Sequence, residues 1–176
     1  MVQATPIGVR DVRVEVAASA QPTPATLCFD NGLEHFSLRA GVESSGLLSA
    51  VFADPPPVVW AIGADVHVEY PLGSRFSSWP GPSTVLLGRA PSWTVQVHGG
   101  AARLDADLRG TSLRAVTLAG AVAHSTLRLP PPPWPCLIRI GAVKDVIITH
   151  PPHQRVRLEI ARTATNVRFG GRRPQP

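Results

Sequence analysis

Apolar and polar residues alternate along most of this 176-residue chain with a period of two. In "RLDADL" at 103–108, Leu104, Ala106 and Leu108 alternate with charged residues, and "VRVEVAA" at 12–18 alternates in the same way. A period of two marks β-strands that have one buried and one exposed face. No stretch of more than a few residues has the 3.6-residue period of an amphipathic helix. The pattern therefore predicts an all-β chain with essentially no helix.

The alternating stretches recur at a regular spacing in the second half of the chain. "GAARLDADLRG" begins at Gly100, "GAVAHSTLRLP" at Gly120 and "GAVKDVIITHP" at Gly141. The same interval beyond Gly141 leads to "RTATNVRFGG", where Arg162 stands in place of the glycine. Two short strands and two corners in about 20 residues are typical of one rung of a β-solenoid. The spacing predicts a single-stranded, β-helix-like β-solenoid of about 20–21-residue rungs.

The residues that open each unit are expected at corners of the solenoid. A glycine there permits a positive φ or a close approach of two backbones. The prolines that follow the alternating stretches are expected to end strands, since proline cannot donate to a strand ladder. Lys144, Asp145 and Thr149 then fall on outward or corner positions of a rung. We interpret them as structural rather than catalytic residues.

The pattern indicates one domain with two unequal halves. Residues 1–98 are predicted to be an irregular β N-terminal half, in which "IGADVHVEYPLG" at 62–73 resembles a rung opening and proline-rich stretches interrupt the repeat. Residues 99–171 are predicted to be the regular solenoid rungs. Residues 172–176 are expected to be a disordered tail.

Charge is distributed unevenly along the chain, whose net charge is +5. Residues 1–98 carry 5 arginines and 8 acidic residues, a net charge of −3, whereas residues 99–176 carry 12 lysines and arginines and 4 acidic residues, a net charge of +8. Basic stripes attract nucleic acid or anionic membrane surfaces, although exposed strand positions also favour long side chains. The arginines that we consider candidates for partner binding are Arg128, Arg139, Arg155, Arg157 and Arg168.

Two tryptophans lie in proline-rich loops, Trp79 in "SSWPGP" and Trp134 in "PPPPWPC". Each is either a buried anchor of its loop or a contact for a partner, because an aromatic ring beside rigid prolines suits an interface. Both interpretations stay open, and both residues are candidates for partner binding. Trp60 and Trp93 lie in strand-like stretches and are expected in the core or at its end.

The chain lacks recognisable catalytic and cofactor motifs. No G-x-S-x-G nucleophile motif occurs, and "FGGRR" and "HGGAAR" lack the strand-loop-helix context of a phosphate loop. Asp105 and Asp107 are expected to form solvated ion pairs with nearby arginines. His150 and His153 are out of register with His124, so we predict no metal site. An enzyme with a hidden site in the first half is the remaining alternative.

The two cysteines, Cys28 and Cys136, lie in apolar strand-like stretches and are predicted to be buried free thiols. The start, "MVQATPIGVRDVRVEV", lacks the basic and apolar regions of a signal peptide. No segment approaches the roughly 18–20 apolar residues of a membrane span. These features predict a cytoplasmic location, no transmembrane segment and no cofactor.

Residues 93–171 resemble the C-terminal β-solenoid modules called toastrack or adhesin-like domains, and residues 27–92 resemble them loosely. The stretches "WTVQVHGGAARLDADLRG" and "PCLIRIGAVKDVIITHPP" carry the likeness, because a glycine-rich rung opening recurs in those modules at a similar spacing. The chain departs from the pattern in two places: only the rung opening at 99–100 retains Gly-Gly, and Arg162 begins the fourth unit. The resemblance implies a β-solenoid, a role in bacterial stress response or signalling, and no catalytic residues.

These observations together predict a non-enzymatic scaffold that binds a protein partner. The last rung, residues 163–169, would end in a free strand edge that is either protected by its arginines or serves as a docking edge. The occupant of that edge is a partner protein or a second copy of the chain, which would give a homo-oligomer. The alternative function is binding of nucleic acid or an anionic membrane surface through the arginine-rich face.

Overall fold

The computed structural model describes residues 2–6, 11–17, 24–41, 46–70, 82–89, 91–131, 135–152 and 155–170. The tail predicted at 172–176 and the histidine at position 153 lie outside these ranges. The described residues form 14 β-strands and no helix, which confirms the prediction of an all-β chain. The strands are β1 Val2–Pro6, β2 Asp11–Ala17, β3 Ala25–Phe29, β4 Leu33–Ala40, β5 Gly46–Ala53, β6 Val58–Ile62, β7 Asp65–Glu69, β8 Ser83–Leu87, β9 Ser92–Val97, β10 Ala101–Asp107, β11 Ser112–Arg128, β12 Cys136–Thr149, β13 Val156–Ile160 and β14 Ala164–Phe169.

The strands form one hydrogen-bonded network that divides into two sheets, and the long strands β11 and β12 belong to both. Sheet A has the order β6-β7-β3-β9-β11-β12-β13, and sheet B has the order β1-β2-β5-β8-β4-β10-β11-β12-β14. Residues 112–118 of β11 lie in sheet A, and residues 121–128 lie in sheet B. The register of β11 against β12 shifts between Leu118 and Ala121, where both strands pass from one sheet to the other.

Strands in the second half of the chain pair in parallel at a near-constant sequence separation. In sheet B, Ala101 pairs with Val122, which pairs in turn with Val143. Sheet A keeps the same separation where Val97 pairs with Leu118. Each partner thus lies one sequence repeat further along the chain. Equivalent positions of successive segments therefore lie side by side in both sheets.

The first half of the chain has a spatial order that differs from its sequence order. β3 lies between β7 and β9, so that Leu27 pairs with Val66 on one side and with Val95 on the other. β4 likewise lies between β8 and β10. Antiparallel strands flank this arrangement, β6 beside β7 and β5, β2 and β1 beside β8. The alternation of apolar and polar residues does not encode this strand order, because it shows which face of a strand points inward but not which strand lies beside it.

One hydrophobic core fills the space between the two sheets. Phe29 of sheet A and Phe36 of sheet B meet edge to face, with ring centroids 4.8 Å apart. Trp93 is 0% exposed, and its indole Nε1 donates a hydrogen bond to the carbonyl oxygen of Gly88 at 2.8 Å. The aromatic side chains bury the largest areas in this core and therefore contribute most to its stability.

Left-handed backbone conformation in the second half of the chain falls on polar residues inside the strands rather than on Gly100, Gly120 and Gly141, which open the sequence repeat. The alternation of buried and exposed residues is interrupted at these positions, so that two outward residues instead of one separate consecutive buried residues. Val122 and Ser125 are an example, and both are buried. Asn, Asp and His tolerate this region better than other side chains. The residues concerned have φ between 48° and 53° and are Arg103, His124, Asp145 and Asn166, together with His35 in the first half.

Gly120 and Gly141 are required for a close approach and not for a positive φ. They lie inside β11 and β12, where these strands pass from sheet A to sheet B. A Cβ on Gly120 would come within 2.6 Å of the Gly99 backbone, and one on Gly141 within 2.3 Å of the Ala119 carbonyl oxygen. The sequence suggests either a positive φ or a close approach of two backbones at these glycines, and the structure shows the close approach.

Candidate functional site

The candidate arginines lie on both sheets and do not form one row. Arg128 and Arg168 belong to strands of sheet B, Arg139 and Arg157 to strands of sheet A, and Arg155 comes just before β13. Arg128 is partly buried and the other four are exposed. The basic residues of the second half are therefore divided between two faces.

Arg128 forms an ion pair with an acidic residue of sheet B. Its Nη1 lies 2.6 Å from Oδ1 of Asp105, and Arg39 contacts the other oxygen of the same carboxylate. Arg39 and Arg128 also flank Asp107 in the strand register. Asp105 and Asp107 thus form ion pairs, as the sequence predicts, and the outer face of sheet B has alternating charges.

The contact between Asp107 and Arg109 predicts a specific dependence of stability on pH. Hydrogen bonds from Arg109 are the main cause that lowers the pKa of the Asp107 carboxyl from 3.8 to about 2. Because this pKa is lower in the folded state, the stabilisation is complete above about pH 4 and is lost as the pH falls toward about 2. We expect Asp107→Asn to be less stable than the natural chain at neutral pH, with a difference that shrinks over this range. Urea unfolding at a series of pH values measures it, and a difference that stays constant down to about pH 2 would contradict the assignment.

Arg139 and Arg157 converge on one carboxylate, that of Glu159. Arg139 Nε lies 2.8 Å from Oε2, and Arg157 Nε lies 2.7 Å from Oε1. The hydrogen bond from Arg139 is the main cause that lowers the pKa of the Glu159 carboxyl. Arg155 and Arg168 are exposed and form no ion pair within the described residues.

The candidate tryptophans Trp79 and Trp134 lie outside the described residues, so their role in partner binding stays a prediction. Trp93 is a core residue, as expected. Trp60 lies on β6 at the end of sheet A, where its ring stacks on that of His67 with centroids 5.1 Å apart and planes 6° from parallel.

Lys144, Asp145 and Thr149 lie on outer positions of β12, in agreement with the sequence interpretation. Asp145 accepts a hydrogen bond from Asn166 at 2.6 Å, and its other carboxylate oxygen lies 3.4 Å from Nδ1 of His124. Three successive segments each have one residue with a positive φ, and these residues are His124, Asp145 and Asn166. Their contacts join neighbouring strands, which is a structural role.

In the described part of the chain, the C-terminal end of both sheets has a free strand edge. β13 and β14 each pair only with β12 there. Phe169 has 44% of its surface exposed, and its ring lies beside that of His150 at a centroid distance of 5.0 Å. Four further apolar side chains pack against the core but are only partly buried, namely Val156, Leu158, Ile160 and Val167. An unpaired edge with apolar side chains is a template for a further strand.

A cluster of polar side chains that the sequence analysis misses lies on the outer side of sheet A. Cys28 is on β3, Asp30 follows β3, and His98 follows β9. Because Leu27 and Phe29 face the core, Cys28 between them faces outward, yet only 3% of its surface is exposed. The cluster therefore brings together three groups that the chain separates by up to 70 residues.

The groups of this cluster are within contact distance of one another. Cys28 Sγ lies 3.2 Å from Asp30 Oδ1 and 4.0 Å from His98 Nδ1. His98 Nδ1 lies 3.6 Å from Asp30 Oδ1. The second oxygen of Asp30 lies 3.2 Å from Nδ1 of His67, which pairs with Cys28 in the sheet register.

Both cysteines are free, as predicted. Burial, followed by the hydrogen bond to Asp30, raises the pKa of the Cys28 thiol to about 12. Burial alone raises the pKa of the Cys136 thiol, which faces the core, to about 11. A raised pKa favours the protonated form of both thiols.

Comparison with known proteins supports the fold without assigning a family. No protein-family model matches the chain, and no curated protein matches its sequence. A solved structure named a "putative cell adhesion protein", from Clostridium sporogenes, is 12% identical and aligns with a TM-score of 0.56 over 95% of this chain and 100% of that chain. The two proteins therefore share a fold. No helix in the described part of the chain is long and apolar enough to span a membrane.

Proposed function

We propose that the chain is a non-enzymatic β-solenoid scaffold, of the toastrack or adhesin-like kind, that binds another protein. Parallel pairing at the interval of the sequence repeat supports a rung made of one strand in sheet A, a bend and one strand in sheet B. The shared fold with a protein named for cell adhesion supports a binding role. The cytoplasmic location and the place in bacterial stress response or signalling stay predictions.

The main support for this proposal is the last rung, whose strands β13 and β14 leave a free edge in the described part of the chain. Such an edge presents unpaired backbone N–H and C=O groups, and the partly buried apolar side chains of this rung adjoin them. An extended segment of a partner can add a strand at this edge, so that main-chain hydrogen bonds supply affinity and side-chain contacts supply specificity. The exposed Arg168 gives the edge a positive charge, which favours an acidic segment.

The inward and outward positions of β14 predict opposite results for two neighbouring substitutions. Val167 packs against the core, whereas Arg168 is exposed. Val167→Asp places a charge against apolar side chains and is expected to reduce stability by about 1–3 kcal/mol. Arg168→Asp is expected to leave the fold intact and to weaken association only. Melting temperature and oligomer size measure both results, and unfolding by Arg168→Asp but not by Val167→Asp would show that the register of the last rung is reversed.

An affinity pull-down with the full chain, at low and at moderate salt, tests the proposed function. The natural chain is expected to retain a protein partner, and Arg168→Asp is expected to weaken that retention. Arg13→Asp is the matched control, because Arg13 is an exposed arginine of β2 at the opposite end of sheet B. Equal loss in both variants, or no loss in either, would contradict docking at the last rung.

The same pull-down tests the alternative, binding of nucleic acid or an anionic membrane surface. Arg155 and Arg168 support this alternative because they are exposed and form no ion pair within the described residues. Arg128, Arg139 and Arg157 are already bound to carboxylates, which weakens it. Nucleic acid that is retained at low salt and lost at moderate salt would favour the alternative, since counterion release makes such binding salt-dependent.

A further inference from the structure

The cluster of Cys28, Asp30 and His98 has the dimensions of a metal site. With Zn–S of about 2.3 Å and Zn–N and Zn–O of about 2.0–2.2 Å, a tetrahedral ion separates its ligand atoms by about 3.3–3.6 Å. The three separations among Sγ, Oδ1 and Nδ1 in this cluster are 3.2, 3.6 and 4.0 Å. Nε2 of His98 lies 3.8 Å from the thiol, so the imidazole must rotate to direct Nδ1 toward an ion that Cys28 and Asp30 also bind.

We propose that Cys28, Asp30 and His98 form a binding site for a divalent transition metal of the zinc class. A thiolate and an imidazole select such metals, whereas Mg²⁺ and Ca²⁺ take oxygen ligands. Three protein ligands leave the fourth tetrahedral position open to water or another small donor. Binding converts the thiol to a thiolate and releases its proton to solvent, because a coordinated cation outweighs the cost of burying the charge.

The main chain holds the ligands in place through bonds between adjacent strands. The Asp30 amide donates a hydrogen bond to the carbonyl oxygen of Val68 at 3.1 Å, and the His98 amide donates to that of Phe29 at 2.9 Å. These bonds fix the residues that follow β3 and β9 relative to each other. The backbone at the site is therefore held in place by the sheet, and binding requires only side-chain movement.

A second layer of side chains supports the carboxylate ligand. The oxygen of Asp30 that faces away from the thiol lies 3.2 Å from His67, whose ring stacks on Trp60. Ligating carboxylates in metal sites are commonly held by such a second contact. Cys136, by contrast, faces the apolar core and has no such polar surroundings among the described residues.

The site has an entry path for an ion on the side of His98, whose side chain is 54% exposed. Cys28 lies behind it at 3% exposure. An ion bound between them would contact solvent at its open position and would be shielded by the sheet on the other side.

Cobalt titration of the full chain tests the proposal, because Co²⁺ takes the same ligands as Zn²⁺ and its thiolate complexes absorb in the near ultraviolet. We expect one equivalent of Co²⁺ to produce a thiolate-to-metal charge-transfer band together with tetrahedral d–d bands, and Zn²⁺ to abolish both by displacement. Cys136→Ala is the decisive variant, because alanine leaves no unpaired polar group in the core. The chain has 2 cysteines, so a charge-transfer band in this variant can arise only from Cys28. The lack of that band would overturn the proposal, even without a variant of the site itself.

Substitutions at the site then identify its ligands. Cys28→Ser should remove the charge-transfer band, and His98→Ala should weaken Co²⁺ affinity by about 100-fold or more. His67→Ala should weaken it by about 10–100-fold, the range for residues that support a ligand. His124→Ala is the matched control for an exposed histidine beside a carboxylate and should leave the affinity unchanged. Equal loss in His124→Ala and His98→Ala would contradict the assignment.

Discussion

Replacing Gly141 with alanine is expected to lower the free energy of unfolding by about 3 kcal/mol, since overpacking against rigid backbone is among the costliest single changes. The added Cβ would lie 2.3 Å from the carbonyl oxygen of Ala119 and 2.7 Å from that of Gly120. Both atoms are main chain of the neighbouring strand β11, so they cannot move without disturbing the ladder between β11 and β12. Urea unfolding followed by circular dichroism measures the loss.

Gly63→Ala is the matched control for this prediction. Gly63 has a φ of 63°, and nothing lies within 4 Å of the position of an added Cβ. Its replacement should cost about 1 kcal/mol through backbone strain alone. If Gly63→Ala destabilises as much as Gly141→Ala, the close approach of β11 and β12 is not the reason that Gly141 is a glycine.

Truncation of Trp93 to alanine is expected to cost about 3–5 kcal/mol. The side chain is 0% exposed, so its removal leaves a cavity at the packed junction of the two sheets. It also deprives the Gly88 carbonyl of the hydrogen bond that the indole donates at 2.8 Å. Circular dichroism during urea unfolding is the suitable measurement, because tryptophan fluorescence changes with the substitution itself.

Trp60→Ala provides the comparison on the outer side of sheet A. Its ring stacks on His67 and does not enter the core, so its loss should cost less than about 1.5 kcal/mol. Similar destabilisation by the two substitutions would mean that Trp60, too, is a core residue.

Local alternation was sufficient to predict an all-β chain, although it did not predict β6 beside the proline-rich stretch. It correctly placed Leu104, Ala106 and Leu108 in the core. It did not locate the left-handed residues, because the sequence marks a turn by glycine whereas the structure uses His124 and Asp145. Asp and His tolerate positive φ well enough for this purpose, and nothing in an alternating strand distinguishes them from ordinary exposed residues.

Relations between distant segments could not be predicted in the same way. The Cys28 cluster depends on β3 lying beside β9, and those strands pair Cys28 with Gln96 across more than a third of the chain. One local signal was present: Leu27 and Phe29 are apolar and face the core, so alternation alone would have placed Cys28 on the outer face. That signal could indicate a thiol facing away from the core, but it could not indicate which histidine lies beside it.

The order of strands in sheet A also bears on how the chain is assembled during synthesis. Strands β10 and β11 pair Ala101 with Val122, whereas β3 and β9 pair Ala25 with the much more distant Trp93. Closing the longer loop costs about 1 kcal/mol more in chain entropy, and β3 cannot complete its ladder until β9 has left the ribosome. The later segments can form their own parallel pairs as they emerge. The strand that contributes Cys28 is made early, but its edge toward β9 stays unpaired until β9 emerges, and chaperones can bind this apolar segment in the meantime.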